Sequence, residues 1–451
     1  MATETAKKTL IEKDQKHLWH AVYKEVEGTN PIIAASGEGS WFRDVDGNRY
    51  FDGVSGLWCL NLGHGRKEIV DAAAEQMMRL SYSPLTLSHE PAIELSAKIS
   101  ELLGEGDYKT FFSNSGSEAN ETAFKIARQY HAQNGNPGKY KFISRYRAYH
   151  GSTLGALSAT AQANRKLKYD PPAPGFLHVQ PPYSYRSPFG DAKDPDMIAA
   201  EMIDQMIIWE GSETVAGVIM EPIISGGGVI VPSQGYLQRV AEICKKHDVL
   251  LMLDEVVSGF GRTGKMFGFM HYEGVQPDII TMAKGLTSGY LPLGATAVRS
   301  EIYEKFKEEG KNNHFRHVST YGGHPASCAV GLKNIEIIER ENIVDRVNYL
   351  GEHILGELKE LISHKNVGEV RGAGFLYGIE LVEDKQTKKP AEDALVGKII
   401  ALCKAKGFII GRNGDTIPGY NNVLIIAPPL SSTEQDLKLL IETIKTAFEE
   451  I

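Results

Sequence analysis

The sequence predicts an α/β fold: a large domain with a central, mostly parallel sheet flanked by helices, and a smaller α+β domain built from both termini. Three observations carry this. Short runs that are apolar almost throughout, TVAGVIME ending at Glu221 and VLLMLD ending at Asp254, stand in the middle of the chain. Helical stretches such as YLQRVAEICKKHD separate them, and strands apolar on both faces belong to parallel sheets covered on each side by helices. The two ends break this rhythm, with a hairpin-like segment near the start and long amphipathic helices after about residue 330.

In chain order, residues 32–55 (IIAASGEGSWFRDVDGNRYFDGVS) read as a small antiparallel meander with Asp46-Gly47 as its hairpin turn. Ser117 to Gln133 sets Ala119, Ala123, Phe124, Ile126 and Ala127 near helical spacing, and KYKFISR is a short strand. Beyond residue 330, AVGLKNIEIIER and VDRVNYLGEHILGELKELI are amphipathic helices. VRGAGFLYGIELV, a strand FIIGRN, a strand VLIIAPPL and a last helix follow, the helix opening on Ser432 and Gln435 at capping-box spacing. The expected division is residues 1–64 and 330–451 in the smaller domain and 65–329 in the larger.

With 451 residues, 42% of them hydrophobic, the chain can bury large cores. A formal charge of −8 without a dense Lys/Arg block argues against a nucleic-acid partner. Cys59, Cys244, Cys328 and Cys403 lie far apart and form no C-x-x-C, which suits a reducing compartment and gives no metal cage. The polar start lacks a signal-peptide core, and no run approaches the roughly 18 apolar residues of a membrane span. A soluble, cytoplasmic protein without a membrane partner is expected.

Chemistry enters at the strand ends, because in parallel sheets ligands sit at the carboxyl edge. LLMLDEVVSGFGRTG puts Asp254 at the end of one apolar run, and DIITMAKGLTSGYLPLGA puts Lys284 in a polar, glycine-containing turn after another. An amine and a carboxylate so placed match what pyridoxal phosphate requires: the amine forms a Schiff base with the cofactor aldehyde, and the carboxylate keeps the pyridine nitrogen protonated. Each residue also has a plainer explanation. Asp254 suits a helix cap or an ion pair with Arg262 or Arg239, Glu255 competes for the acidic role, and Lys284 is one of 49 lysines and arginines. In FFSNSGSEAN the amides of Gly116 and Ser117 open a helix, a place that favours phosphate but equally an ordinary N-cap. Tyr149, in SRYRAYHGST, suits a ring-stacking role or a half-buried loop position, and His150 fits a structural histidine. Arg412, after FII, suits a carboxylate clamp or a surface ion pair. Trp58, in GVSGLWCLNLGHG, walls a pocket or fills a core.

Taken in order these segments resemble the class III, or omega, aminotransferases of the fold type I pyridoxal phosphate enzymes. The resemblance runs over nearly the whole chain, from DVDGNRYFDGVSGLWCLNLGHG through NSGSEANETAFKIAR, YHGST, EPIISGGGVIVP, DEVVSGFGRTG and MAKGLTSGYLPLGA to TYGGHPASCAVGL, VRGAGFLYGIEL and VLIIAPPL. It implies that Lys284 binds the cofactor and carries the proton and that Asp254 faces the pyridine nitrogen. Val256 and Tyr149 would flank the ring, Ser115, Gly116 and Ser117 would hold the phosphate, and Glu221 would lie near the ring. Thr320 would reach the phosphate of a neighbouring subunit's cofactor, which implies a homodimer with shared sites and leaves a tetramer open. Trp58, Leu85, Tyr149 and Arg412 would surround the substrates, an amine donor and a keto-acid acceptor. Arg412 would bind the keto acid's carboxylate, so the resemblance points to an omega-amine:pyruvate aminotransferase. Leu85 stands where many relatives carry an aromatic residue, which implies a roomier pocket. The diaminopelargonate-forming aminotransferase that uses S-adenosylmethionine is the alternative within the family, and glutamate-semialdehyde aminomutase a second. A nucleotide-dependent dehydrogenase would need a G-x-G-x-x-G between an early strand and helix, and GFGRTG at Gly259 to Gly264 lacks that setting.

Overall fold

The computed structural model describes residues 4–22, 30–104, 107–190, 192–310, 312–414 and 416–451. Among these residues three sheets form. Near the start, β1 (Ala34–Glu38), β2 (Trp41–Asp44) and β3 (Arg49–Asp52) make the expected meander. The β2–β3 turn is held by Asp44, whose carboxylate accepts from the Asp46 and Asn48 amides, each at 2.9 Å.

The central sheet contains β4 (Tyr108–Ser113), β5 (Lys141–Arg145), β6 (Phe176–Val179), β7 (Val215–Met220), β8 (Leu250–Asp254), β9 (Ile279–Met282) and β10 (Gly294–Arg299). Their order is β4-β10-β9-β8-β7-β5-β6, and β10 alone runs against its neighbours. Every residue of β7, β8 and β9 is buried, which is why these strands read as unbroken apolar runs. The helix Gly116–Gln133 lies against β9 and β10 with Ala119, Ala123, Phe124 and Ala127 buried. The helix Tyr236–Lys246 covers β8. Six strands thus point their carboxyl ends at one edge.

The third sheet is formed by β11 (Val367–Ala373), β12 (Leu376–Asp384), β13 (Lys389–Pro390), β15 (Gly411–Arg412) and β16 (Val423–Ile426), while β14 (Phe408–Ile409) joins the N-terminal meander. The single strand expected at FIIGRN is therefore two. Phe408 and Ile409 pair in parallel with Phe51 and Asp52, and Gly411 and Arg412 pair antiparallel with Ile425 and Leu424. Gly411 permits the swing between sheets, since a Cβ there would lie 3.0 Å from Val54 Cγ1.

The last helix, Glu434–Glu449, is capped one residue later than its sequence suggested. Thr433 Oγ1 accepts from the Asp436 amide at 3.1 Å, whereas the Ser432 hydroxyl lies 2.7 Å from both the Pro429 carbonyl and Ser40 Oγ. Trp41 Nε1 also reaches this helix, donating to Asp436 at 2.9 Å. No helix among the described residues is long and apolar enough to cross a membrane.

Phe51 is fully buried and touches Trp41 edge-on and Phe408 at a tilt, with ring centroids 5.2 and 5.4 Å away. It therefore joins the N-terminal meander to β14. Phe51→Ala is expected to cost about 3–5 kcal/mol, read as a lowered midpoint in denaturant unfolding.

Candidate active site

The loops after β4, β5, β7, β8 and β9, at the carboxyl edge of the central sheet, contribute polar groups. Asp254 ends β8 and is buried, so its carboxylate needs partners. His150 Nδ1 and Asn120 Nδ2 each lie 2.8 Å from Oδ2, and the Val256 amide donates to Oδ1 at 3.1 Å. Asn120 is fixed in turn, accepting from Thr281 Oγ1 on β9 at 2.8 Å and donating to the His150 carbonyl at 2.7 Å. Neither Arg262 nor Arg239 supplies the ion pair considered for Asp254. Arg262 is spent on the Phe375 and Pro428 carbonyls, Ser55 and Asn61, and Arg239 on Glu201 and Glu242.

Glu255 does not compete with Asp254. Adjacent strand residues face opposite ways, and its carboxyl accepts from Ser258 at 2.6 Å and from the Gly268 and Phe269 amides at 2.8 Å each. It shapes the turn after β8.

Lys284 follows β9 with a left-handed backbone, φ 41°, a conformation that costs a non-glycine residue about 1–2 kcal/mol. Its amine lies 5.2 Å from the centre of the Trp58 ring, and Trp58 is itself left-handed at φ 58°. Burial lowers the Lys284 pKa, against the opposing pull of Asp254, Cys59 and Glu221. The lysine thus releases its proton more readily than a surface lysine does.

Two further groups complete the floor. Glu221, just past β7, accepts from the Tyr149 amide at 3.1 Å and the Ser225 amide at 2.9 Å, and burial pushes its carboxyl pKa up. Gly116 opens its helix against Val256: a Cβ at Gly116 would come within 2.9 Å of Val256 Cγ2. Ser115 caps that helix through the Glu118 amide at 3.2 Å, and Ser117 Oγ accepts from the Ser152 amide at 3.1 Å. First-turn amides have no carbonyl within their own helix, so an anion suits this end.

The predicted residues fall into three groups. Ser115, Gly116, Ser117, Tyr149, Glu221, Asp254 and Val256 share the carboxyl edge with Lys284, and Trp58 is drawn in beside that amine. Leu85 and Thr320 line a separate cleft of about 450 Å³ with Tyr82, Phe112 and Ser319. Both are exposed, and the Thr320 carbonyl accepts from Tyr82 Oη at 2.9 Å. Ser319 accepts from Asn114 Nδ2 at 2.7 Å, which ties this cleft to the residue before Ser115. Arg412 lies on β15 with its guanidinium 3.3 Å from Asp393, the surface ion pair that its sequence context also allowed.

Sequence reasoning missed Asn120 and Thr281. Asn120 stands one helical turn after Gly116 on the same face, a spacing that marks it in retrospect. Thr281 is a polar residue inside the apolar run DIITM.

The arrangement suits the cofactor. A desolvated amine, a partnered buried carboxylate and a helix start with free amides meet at one edge, matching an aldehyde, a ring nitrogen and a phosphate. The chain also matches the aminotransferase class-III family over residues 22–448. The chain is a class III aminotransferase. An uncharacterized aminotransferase of Bacillus subtilis (strain 168) is 58% identical over 98% of this chain and 97% of its own length. Taurine–pyruvate aminotransferase of Bilophila wadsworthia is 41% identical over the same shares. A crystal structure of a Bacillus anthracis aminotransferase superposes with a TM-score of 0.96 at 53% identity, covering all of both chains. The aminotransferase is thus a pyridoxal phosphate-dependent enzyme of fold type I that takes an amine donor and a keto-acid acceptor.

Burial pushes the Glu255 carboxyl from an ordinary 4.5 up to about 7. The folded state then holds this proton more tightly than the unfolded chain, so the contribution is complete below the unfolded pKa. It is lost as pH rises through the folded value. Glu255→Gln is expected to lower stability by about 1–3 kcal/mol, because an amide cannot accept both backbone N–H groups. It should also flatten the fall in stability between acidic and neutral pH. Denaturant unfolding across that pH range measures both effects.

Proposed function

We propose that this aminotransferase moves the amino group of an omega-amine or amino acid to pyruvate in two alternating half-reactions. The observation that carries the reading is Lys284: a desolvated amine in a strained turn, facing Trp58 and close to a fixed carboxylate. When bound, pyridoxal phosphate supplies the aldehyde that captures the amine and a ring that accepts the electron pair left at the substrate carbon.

In this reading Lys284 holds the cofactor and, once displaced, its neutral amine takes the proton from the substrate carbon and returns it elsewhere. Asp254 supplies a fixed negative charge toward the ring nitrogen, and its bonds to Asn120 and His150 keep that charge from reorienting. Tyr149 and Val256 flank the ring, Glu221 orders the Tyr149 loop, and Ser115, Gly116 and Ser117 hold the phosphate. Thr320, exposed beside the helix start, serves the site of a second copy, so the working unit is a homodimer. Arg412 binds the keto acid's carboxylate after leaving Asp393, a partly exposed pair worth at most about 1 kcal/mol. Pyruvate as acceptor is supported by the relative named for taurine and pyruvate.

Lys284→Ala is expected to fold yet lose the visible absorption of the lysine-bound cofactor; a retained band would remove the lysine from its role. The reaction itself is tested by mixing the wild type with beta-alanine, taurine, putrescine, 1-phenylethylamine or S-adenosylmethionine, each with and without pyruvate. Bleaching of the band by an amine and its recovery with pyruvate is the expected outcome, and bleaching by S-adenosylmethionine alone would move the enzyme to the diaminopelargonate-forming reaction. Arg412→Ala should raise the KM for pyruvate at least about tenfold, the worth of one charge-assisted contact, and disturb a simple amine far less. Equal losses on both substrates would make this arginine structural.

A further inference from the structure

Arg165, beside this site, has no ionic partner among the described residues. Arg165 lies on the short helix Ala163–Lys166, with its guanidinium carbon 5.0 Å from the centre of the Tyr149 ring. Its Nε donates to Gln162 Oε1 at 2.7 Å. Gln162 is buried and is itself anchored, donating through Nε2 to the Arg147 carbonyl at 2.8 Å. The guanidinium is therefore held on one side by the amide and on one face by the aromatic ring, which leaves the outer end of its fork for a ligand. Among the described residues no carboxylate lies within ion-pair distance of it. Four other arginines near the site are engaged. Arg371 and Arg186 share Glu380, Arg147 donates to the Gly227 carbonyl at 3.1 Å between the rings of Tyr183 and Tyr420, and Arg412 has Asp393.

A continuous wall links Arg165 to the reacting amine. Gly226 stands between the Trp58 ring and the Gln162 amide, so that a Cβ there would lie 3.6 Å from Trp58 and 3.8 Å from Gln162 Nε2. The centre of the same Trp58 ring lies 5.2 Å from the Lys284 amine. The charge of Arg165 also acts on Lys284, adding to the downward shift that burial begins.

We propose that Arg165 is the acid-recognition residue of the donor pocket, binding the carboxylate or sulfonate at the far end of an omega-amino acid whose amine lies at Lys284. This rests on the transamination reading above and adds the donor class. A guanidinium fork matches two oxygens of such a group, and stacking on Tyr149 pre-organises it, so less freedom is lost on binding. The same charge repels the distal ammonium of a diamine, so the pocket selects against diamines as well as for acids. Arg165 and Arg412 then divide the work, one for the remote acid of the donor and one for the keto acid's carboxylate.

The test uses the holoenzyme with Arg165→Gln and Arg165→Lys. For the glutamine variant, kcat/KM for beta-alanine and taurine relative to 1-phenylethylamine is expected to fall at least tenfold, mainly through KM. The ratio of putrescine to beta-alanine should rise, and lysine should restore part of the acid preference. Binding of propionate and ethanesulfonate, acids without the amine, is then followed calorimetrically. Both should bind the wild type and Arg412→Ala but lose at least tenfold in affinity for Arg165→Gln, and the tighter of the two tells carboxylate from sulfonate. Equal loss on all donors, undiminished acid binding by Arg165→Gln, or no acid binding by the wild type would overturn the proposal. Failure of the wild type to aminate pyruvate from any donor would instead overturn the transamination reading.

Discussion

A carboxylate buried at the end of a parallel strand is the constraint around which this enzyme is arranged. Asp254 has little contact with water, so its charge depends on donors brought from elsewhere in the chain. Those donors come from the helix after β4 (Asn120), the loop after β5 (His150) and the turn after β8 itself (the Val256 amide). Thr281 on β9 fixes Asn120. Satisfying one acid therefore sets the relative positions of four strand ends. The surfaces proposed to receive a phosphate and a planar ring follow from the same alignment, since Gly116 can approach Val256 closely only when its helix sits where Asn120 holds it.

Backbone strain gathers at the same edge. Lys284 and Trp58, which face each other, both adopt left-handed conformations, and Val229 in the loop after Glu221 does so as a β-branched residue. Such conformations persist where surrounding contacts over-determine them. Here Arg371 grips the Gly228 and Val229 carbonyls, the latter at 2.9 Å, and Ser55 Oγ donates to the Ala427 carbonyl at 2.7 Å to anchor the Trp58 turn. The charged cluster of Arg371, Arg186 and Glu380 thus acts on the site at a distance, by holding a loop in shape.

Much of this was legible in the chain. Continuous apolar runs gave away β7, β8 and β9 because both faces of those strands are covered, and the residues after them could be named as candidates because parallel sheets present their carboxyl ends to ligands. Less legible was whatever depends on long-range pairing. FIIGRN is apolar enough for one strand, and only the competing partners Phe51 and Ile425 divide it. The cap of the last helix slipped from Ser432 to Thr433 because Ser40, distant in sequence, engages the serine hydroxyl. Arg165 carried no local signal, since an arginine in a polar loop looks the same whether its fork is paired or open.

The division of FIIGRN between two sheets has a mechanical consequence. Arg412 hangs from β16 through its pairing with Leu424, and the Trp58 turn hangs from Ala427, just beyond the end of the same strand. The Trp58 turn and the arginine proposed to meet a keto acid are therefore mounted on one beam. Any repacking beneath β16 tilts both together, so in the proposed reading pocket width and acid reach are geometrically coupled and cannot be tuned as separate settings.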